Sequence, residues 1–357
     1  MWKLEKLIIN NNYTEDIMKK IVTLALASVL SIAMLTGCAT KENGNTTTNA
    51  TEGTNAESPT QSSEDEASST TTTETTVTDT SVNGGIDTGD TVTVPADVKK
   101  AVVMDYGILD TIQALGIDVE VAIPSGETPS FLSDFSDATA IGSIKEPDLE
   151  AIFDFEPDVI FISGRQESFY DQLSEIAPTI YVSLDSAKYM EDFKYNTNIV
   201  ASIFNKETEA NEAIKAIEAK VEAAKAVTAK TDDKALIILT NDGSMSAYGA
   251  GSRFGIIHDL LGVKAADDSI EVSTHGQEVS YEYISQVNPD ILFVVDRTVI
   301  AGGTNLAATT LDNELVNETN AATNNKIISL DPDLWYLSGG GLTSVSEMID
   351  EVVAAIR

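Results

Sequence analysis

One unit of this sequence occurs twice. DFEPDVIFISGR (154–165) and QVNPDILFVVDR (286–297) each pass from Pro-Asp through an apolar run to an arginine at the same offset from the proline. In both copies a glutamate, Glu150 or Glu282, precedes the arginine by fifteen residues. A short, uninterrupted apolar run bounded by turn residues reads as a strand buried on both faces, and such strands belong to mostly parallel sheets covered by helices. The repeat therefore implies one supersecondary unit used twice, with Arg165 and Arg297 delivered to the same topological place. The ends are worth singling out because the 357-residue chain carries a formal net charge of −35. That acidity argues against nucleic-acid binding, which needs a basic surface, and makes any converging arginines conspicuous.

The flanking sequence fits the same grammar. TVTVP, KKAVVMD and DVEVAIP read as strands, YGILDTIQALGI as a helix ending at Gly116, LEAIFDFEP as a helix stopped by Pro157, and TIYVSL as a further strand. Ser186 to Lys230 is a helical tract rich in alanine and alternating charge, a strong helix former. A second half restarts with KALIILT and a Gly/Ser-rich loop, followed by the helices RFGIIHDLLG and YEYISQV. The strands DILFVVD and KIISL and a final helix from about Thr343 complete it. The expected fold class is α/β: two Rossmann-like lobes, residues 91–185 and 231–357, with mostly parallel sheets, bridged by a long helix within 186–230. Ligands of open parallel sheets bind beyond the carboxyl ends of the strands, where Arg165 and Arg297 fall.

The N-terminal ninety residues have a different character. Met18-Lys19-Lys20, the apolar run IVTLALASVLSIAML and Leu35-Thr36-Gly37-Cys38 read as a secretory signal, 18–38, closing in a lipobox whose cysteine takes a lipid. Its apolar core is shorter than the ~20 residues a spanning helix needs. Cys38 is the sole cysteine, so no intramolecular disulfide can form. Residues 1–17 precede a good start at Met18 and read as an extension outside the translated protein. Residues 39–90, dominated by Thr, Ser, Asn, Glu and Gly, read as a disordered tether. Together these features predict an extracytoplasmic protein, lipid-anchored to the cell membrane.

Three further residues join the two arginines. Arg253, in AYGAGSRFGIIHD, sits among glycines that allow a sharp turn or close approach, and the sequence lacks the Gly-Lys-Ser/Thr of a nucleotide loop. A cation before a helix opposes its dipole, so an anion there would account for Arg253. His275, in STHGQEV, occupies a Gly-flanked loop, whereas His258 within RFGIIHDLLG reads as structural. Tyr336, in DPDLWYLSGGGL, follows the last strand, with Trp335 free to take the packing role. Guanidinium groups bind planar oxygen anions in a bidentate fork, and phenolate and imidazole can fill open positions on ferric iron. The set suits a bulky anionic complex of a hard metal. Neither a nucleophile–base pair nor HExxH or CxxC spacing is present, so binding rather than catalysis is expected.

From about residue 91 to the C-terminus the chain resembles the iron-siderophore solute-binding lipoproteins of ABC importers, in particular the branch that takes up ferric catecholates of the enterobactin and petrobactin type. The resemblance is carried by DYGILDTIQALG, GSIKEPDLEAIFDFEPDVIFISGRQ, GSRFGIIHDLLG, STHGQEVSYEYISQVNPDILFVVDR and WYLSGGGL. It implies two α/β lobes bridged by a long helix, of the class III periplasmic-binding-protein type. By the same resemblance Arg165, Arg253 and Arg297 face catecholate oxygens, and His275 and Tyr336 can complete iron coordination. Glu150 and Glu282 match the acidic residue of each lobe that docks on the permease. It further implies no intrinsic cofactor, a ferric siderophore as transported ligand, and a monomer. Haem, cobalamin or a hydroxamate siderophore on the same fold remains an alternative, as does a tethered surface hydrolase using the arginines as an oxyanion clamp.

Overall fold

Aliphatic and β-branched runs set the strands, and the residues between them set the helices. The computed structural model describes residues 74–78, 91–126, 128–273 and 275–357, all within one compact unit, Ser69–Arg357. Strands β1 (Glu74–Thr78) and β2 (Thr91–Pro95) form an antiparallel pair. The first lobe comprises β3 (Lys100–Val103), α1 (Tyr106–Ala114), β4 (Glu120–Ile123), β5 (Thr139–Ala140), α2 (Leu149–Phe155), β6 (Val159–Ile162) and β7 (Thr179–Tyr181). Its sheet has the order β5-β4-β3-β6-β7 and is parallel throughout. All four residues of β6 are buried, as a strand covered on both faces requires. Helix α1 starts where the Asp105 carboxylate accepts the amides of Gly107 and Ile108. It stops at Gly116, whose φ of +59° suits a residue without Cβ.

Helices α3 (Tyr189–Phe204) and α4 (Glu207–Thr228) connect the lobes. The second lobe comprises β8 (Lys234–Asn241), β9 (Ser244–Tyr248), β10 (Lys264–Ala265), β11 (Gln277–Glu278), α5 (Tyr281–Val287), β12 (Ile291–Asp296), α6 (Arg297–Ala301), β13 (Ile327–Leu330) and α7 (Leu342–Ile356). Its sheet has the order β11-β9-β8-β12-β13, with β10 also paired to β8. Strands β8, β10, β12 and β13 run parallel, while β9 and β11 are antiparallel. Buried side chains of α3, α4, β8, β12 and α7 form one continuous core, and α7 packs on both α1 and α4. Across this junction the buried Asp110 of α1 accepts the Thr343 and Ser344 amides at the start of α7, at 3.1 and 2.7 Å.

The duplicated unit folds the same way twice. Asp148 and Ser280 cap the seven-residue helices α2 and α5, which end in the left-handed residues Glu156 (φ 54°) and Asn288 (φ 47°). After each proline the aspartate side chain reaches the start of the neighbouring strand. Asp158 accepts the amides of Lys99 and Lys100, at 2.7 and 2.9 Å, and Asp290 accepts that of Lys234, at 3.0 Å. Strands β6 and β12 then take equivalent places, each beside the first parallel strand of its lobe.

The helical connector takes two passes, because Asn205 adopts φ 56° and ends α3; the longer second helix, α4, packs on the second lobe. Three expectations need correction. The Gly/Ser-rich stretch after β8 is a tight hairpin: Asp242 and Gly243 take φ 47° and 91°, and the chain returns as β9. RFGIIHDLLG forms only a single π-helical turn, Ile256–Leu260. The stretch 39–90, expected as a tether throughout, contributes β1. The expected extension 1–17, the signal 18–38, the lipidation site Cys38 and the rest of the tether lie outside the described residues. Among the described residues no helix is long and apolar enough to cross a membrane.

Candidate ligand-binding cleft

The three arginines come from separate stretches of chain and meet on one residue. Arg165 donates through Nη2 to the Tyr336 carbonyl at 3.0 Å, and Arg253 donates through Nη2 to the same oxygen. Arg297 donates through Nε to the Tyr336 hydroxyl at 2.8 Å. The guanidinium carbon of Arg253 lies 4.1 Å from the centre of the Tyr336 ring, and that of Arg297 lies 5.6 Å from it. Arg165 belongs to the first lobe, whereas Arg253 and Arg297 belong to the second. None of the three forms an ion pair with a carboxylate among the described residues.

Local structure explains each placement. Arg165 occupies the turn Ser163–Gln166 that follows β6, closed by the Gln166 amide donating to the Ser163 carbonyl at 2.9 Å. Arg297 begins α6 directly after β12. The preceding Asp296 is buried and accepts from the Thr240 hydroxyl and from the Thr298 and Ala307 amides, so its charge is satisfied before it can pair with the arginine. Arg253 follows Gly251, whose φ of +71° turns the chain. The anion-at-a-helix-start account of Arg253 fails, because the helix is one turn long and the Gly251 amide is already bonded to Asp259 at 2.6 Å. Arg253 instead donates to the Tyr336 carbonyl.

Tyr336 lies in a π-helical turn, Asp333–Leu337, a geometry frequent at functional sites. Its neighbour Trp335 is buried, 6.5 Å from Phe254 and bonded through Nε1 to Glu351 at 2.6 Å. Alternation along the turn therefore leaves Tyr336 facing the arginines, as the sequence suggested. Burial pulls the Tyr336 phenol upward. The Arg253 charge, the hydrogen bond from Arg297 and the charges of Arg297 and Arg165 outweigh that, holding it below the ordinary tyrosine value of 10.0. Burial and then the neighbouring Arg165 push the Arg253 guanidinium down, an effect tempered because the residue is exposed to solvent.

These groups border a cavity of about 610 Å³, lined by Arg165, Arg253 and Tyr336 together with Tyr181, Tyr189 and Glu167. Arg297 contacts Tyr336 but is not among the residues lining the cavity. His275 is exposed and is not gathered into the arginine–tyrosine group. Its backbone amide donates to Ser273 Oγ at 3.3 Å, and Ser273 and Val272 line the cavity, so His275 lies on the loop that borders it without being among the lining residues. His258 is held by its Nδ1 against the Val263 carbonyl at 2.8 Å, a structural role as expected. Glu150 and Glu282 are exposed in the first turns of α2 and α5. A crossover helix runs antiparallel to the strand it leads into, so each glutamate, in the first turn of its helix, lies toward the carboxyl end of the strand after which its arginine follows.

Sequence reasoning missed two residues that shape the site. Tyr189, at the start of α3, lines the cavity and donates its hydroxyl to the Gly339 carbonyl. Gln166 is buried beneath the Arg165 turn. Neither has a periodicity that marks it; the available signals for Gln166 were its adjacency to Arg165 and its place at the end of GSIKEPDLEAIFDFEPDVIFISGRQ.

Residues 102–334 match the family model described as periplasmic binding protein. The chain is 46% identical over 262 residues to the petrobactin-binding protein YclQ of Bacillus subtilis, covering 72% of this chain and 83% of that one. The crystal structure of YclQ superimposes with a TM-score of 0.76 at 42% identity, over 80% of this chain and 99% of the other. The ferric-anguibactin-binding protein FatB of Vibrio anguillarum is 34% identical, over 71% of this chain and 81% of its own. The periplasmic catecholate-siderophore binding protein VctP of Vibrio cholerae matches with a TM-score of 0.71 at 28% identity, over 79% of this chain and 100% of that one.

Proposed function

The chain belongs to the periplasmic binding protein family, and we propose that it captures a ferric catecholate siderophore outside the membrane and delivers it to an ABC permease for iron uptake. The observation that carries this reading is the meeting of Arg165, Arg253 and Arg297 on Tyr336 at the edge of one cavity. Among the described residues the three guanidiniums have no carboxylate partner and hold net positive charge in a strongly acidic protein, which an anionic guest would neutralise. Petrobactin, ferric anguibactin and a catecholate siderophore are what the relatives are named for binding, which supports the same ligand class here.

In this reading the protein binds and releases without transforming its cargo. The arginines take the catecholate oxygens; His275 and Tyr336 complete iron coordination when the ligand leaves positions open. Glu150 and Glu282 dock on the permease, one from each lobe, and a lipid on Cys38 holds the protein at the membrane. Fluorescence of the purified protein, titrated with a ferric bis-catecholate, a ferric hydroxamate, haem and cobalamin in turn, tests the assignment. Quenching at the lowest concentration by the ferric bis-catecholate is expected, and tighter binding of any of the other three would refute it.

A further inference from the structure

Gln166 is wholly buried, and its side chain is bonded at both ends. Its Oε1 accepts from the Ser163 amide at 3.0 Å, while its own backbone amide donates to the Ser163 carbonyl at 2.9 Å. The turn carrying Arg165 is thus closed twice by one residue. The amide nitrogen Nε2 then donates to two carbonyls, that of Met104 at 3.4 Å and that of Ile144. Met104 follows β3, and Ile144 belongs to the loop after β5. The side chain therefore ties the arginine's turn to the neighbouring central strand and to an outer loop. A buried amide is costly unless its groups are satisfied, and only a residue with one acceptor and two donors on a planar head satisfies this site. The second lobe solves the same problem differently: Asp296 fixes the start of α6 from the position before Arg297.

We infer that Gln166 is a positioning residue that holds Arg165 on its target, a role resting on the reading of Arg165 as a ligand contact. The Arg165 guanidinium has one bond to the other lobe, to the Tyr336 carbonyl, and a long side chain on a loosened turn would spread over many orientations.

The test is a double-substitution cycle on the full chain in detergent, with the ferric complex of a lysine bis-catecholamide as probe. Gln166→Met keeps length and removes the polar head. Affinity is expected to fall about tenfold, equivalent to ~1.4 kcal/mol, and to change less than about twofold when Arg165 is already alanine. An equal loss in both backgrounds would overturn the inference and assign Gln166 a general folding role. If Gln166→Met does not fold, Gln166→Glu replaces it. The protonated acid can still accept from Ser163 and donate once, so affinity relative to the native chain should be near normal in acid and fall on ionisation. A ratio independent of pH would overturn the inference. Failure of the native chain to bind the probe would refute the functional reading instead. Gln166 would then be judged by nitrogen NMR of labelled arginine, where slow rotation of the Arg165 guanidinium should become fast in Gln166→Met. Unchanged rotation would overturn the inference.

Discussion

Replacing Arg253 with methionine should separate binding from stability. Arg253 and Arg165 donate to one oxygen, so their nitrogens can be no more than about 6 Å apart. Two unit charges at that distance repel by roughly 3 kcal/mol at an effective dielectric of about 20. Arg253 is exposed to solvent, which reduces the repulsion to about half. Against it stand a charge-assisted hydrogen bond, ~1.5 kcal/mol, and the stacking on Tyr336, ~0.5–1 kcal/mol. These nearly cancel, so Arg253→Met should alter the stability of the ligand-free protein by less than about 1 kcal/mol. With an anion in the cleft the attraction to Arg253 is lost without compensation. The same arithmetic gives about 1.5–3 kcal/mol, or roughly 10- to 100-fold in Kd. Urea denaturation would report the first quantity and fluorescence titration with a ferric bis-catecholate the second. A Kd within about threefold of the native value, or a stability loss above ~2 kcal/mol, would refute the electrostatic reasoning.

Further outcomes follow from the same geometry. Tyr336 has a depressed phenol, so it adds stability once ionised, fully above pH 10 and lost as the pH falls through its folded-state value. Tyr336→Phe should therefore lower stability selectively in alkaline solution, and remove a tyrosine step below the ordinary phenol value from an ultraviolet titration. Gly341→Ala would press a methyl group into the Asp110 carboxylate, which is fixed by the α7 amides; a loss of ~1–3 kcal/mol in urea denaturation is expected. Binding of a ferric bis-catecholate should shift its visible charge-transfer band, and the His275→Ala, Tyr336→Phe double variant should abolish the shift if these residues ligate iron. Glu150→Arg and Glu282→Arg should leave the siderophore Kd unchanged and suppress stimulation of permease-linked ATPase activity in vesicles.

The repeated unit was legible because every part of it has a local cause. Pro157 and Pro289 stop helices, the aspartates after them reach the adjacent strands, and the apolar runs can only be covered strands. Arg165 and Arg297 followed from strand-end topology. The identity of their shared partner did not. That the Tyr336 carbonyl, rather than its side chain alone, collects two guanidiniums depends on a π-helical turn whose backbone geometry no side-chain pattern announces. Asn205 was read through because a left-handed residue inside an alanine-rich tract leaves the helical periodicity on both sides intact. The helix expected at RFGIIHDLLG had sound spacing but is interrupted by tertiary bonds, notably Asp259 turning back to the Gly251 amide. Gln166 shows the same limit: its partners, Ser163, Met104 and Ile144, come from three stretches of chain.

A single oxygen atom bridged by side chains from both halves has a mechanical consequence. Arg165 is rooted in the first lobe, and Arg253 and Tyr336 in the second. Hydrogen bonds fail within about an ångström of stretch, so separating the lobes at this point would break the Arg165 bond and leave that of Arg253, which lies within the second lobe. The Tyr336 carbonyl is therefore a joint between the lobes, supplementary to the bonds from Asp110 to the α7 amides.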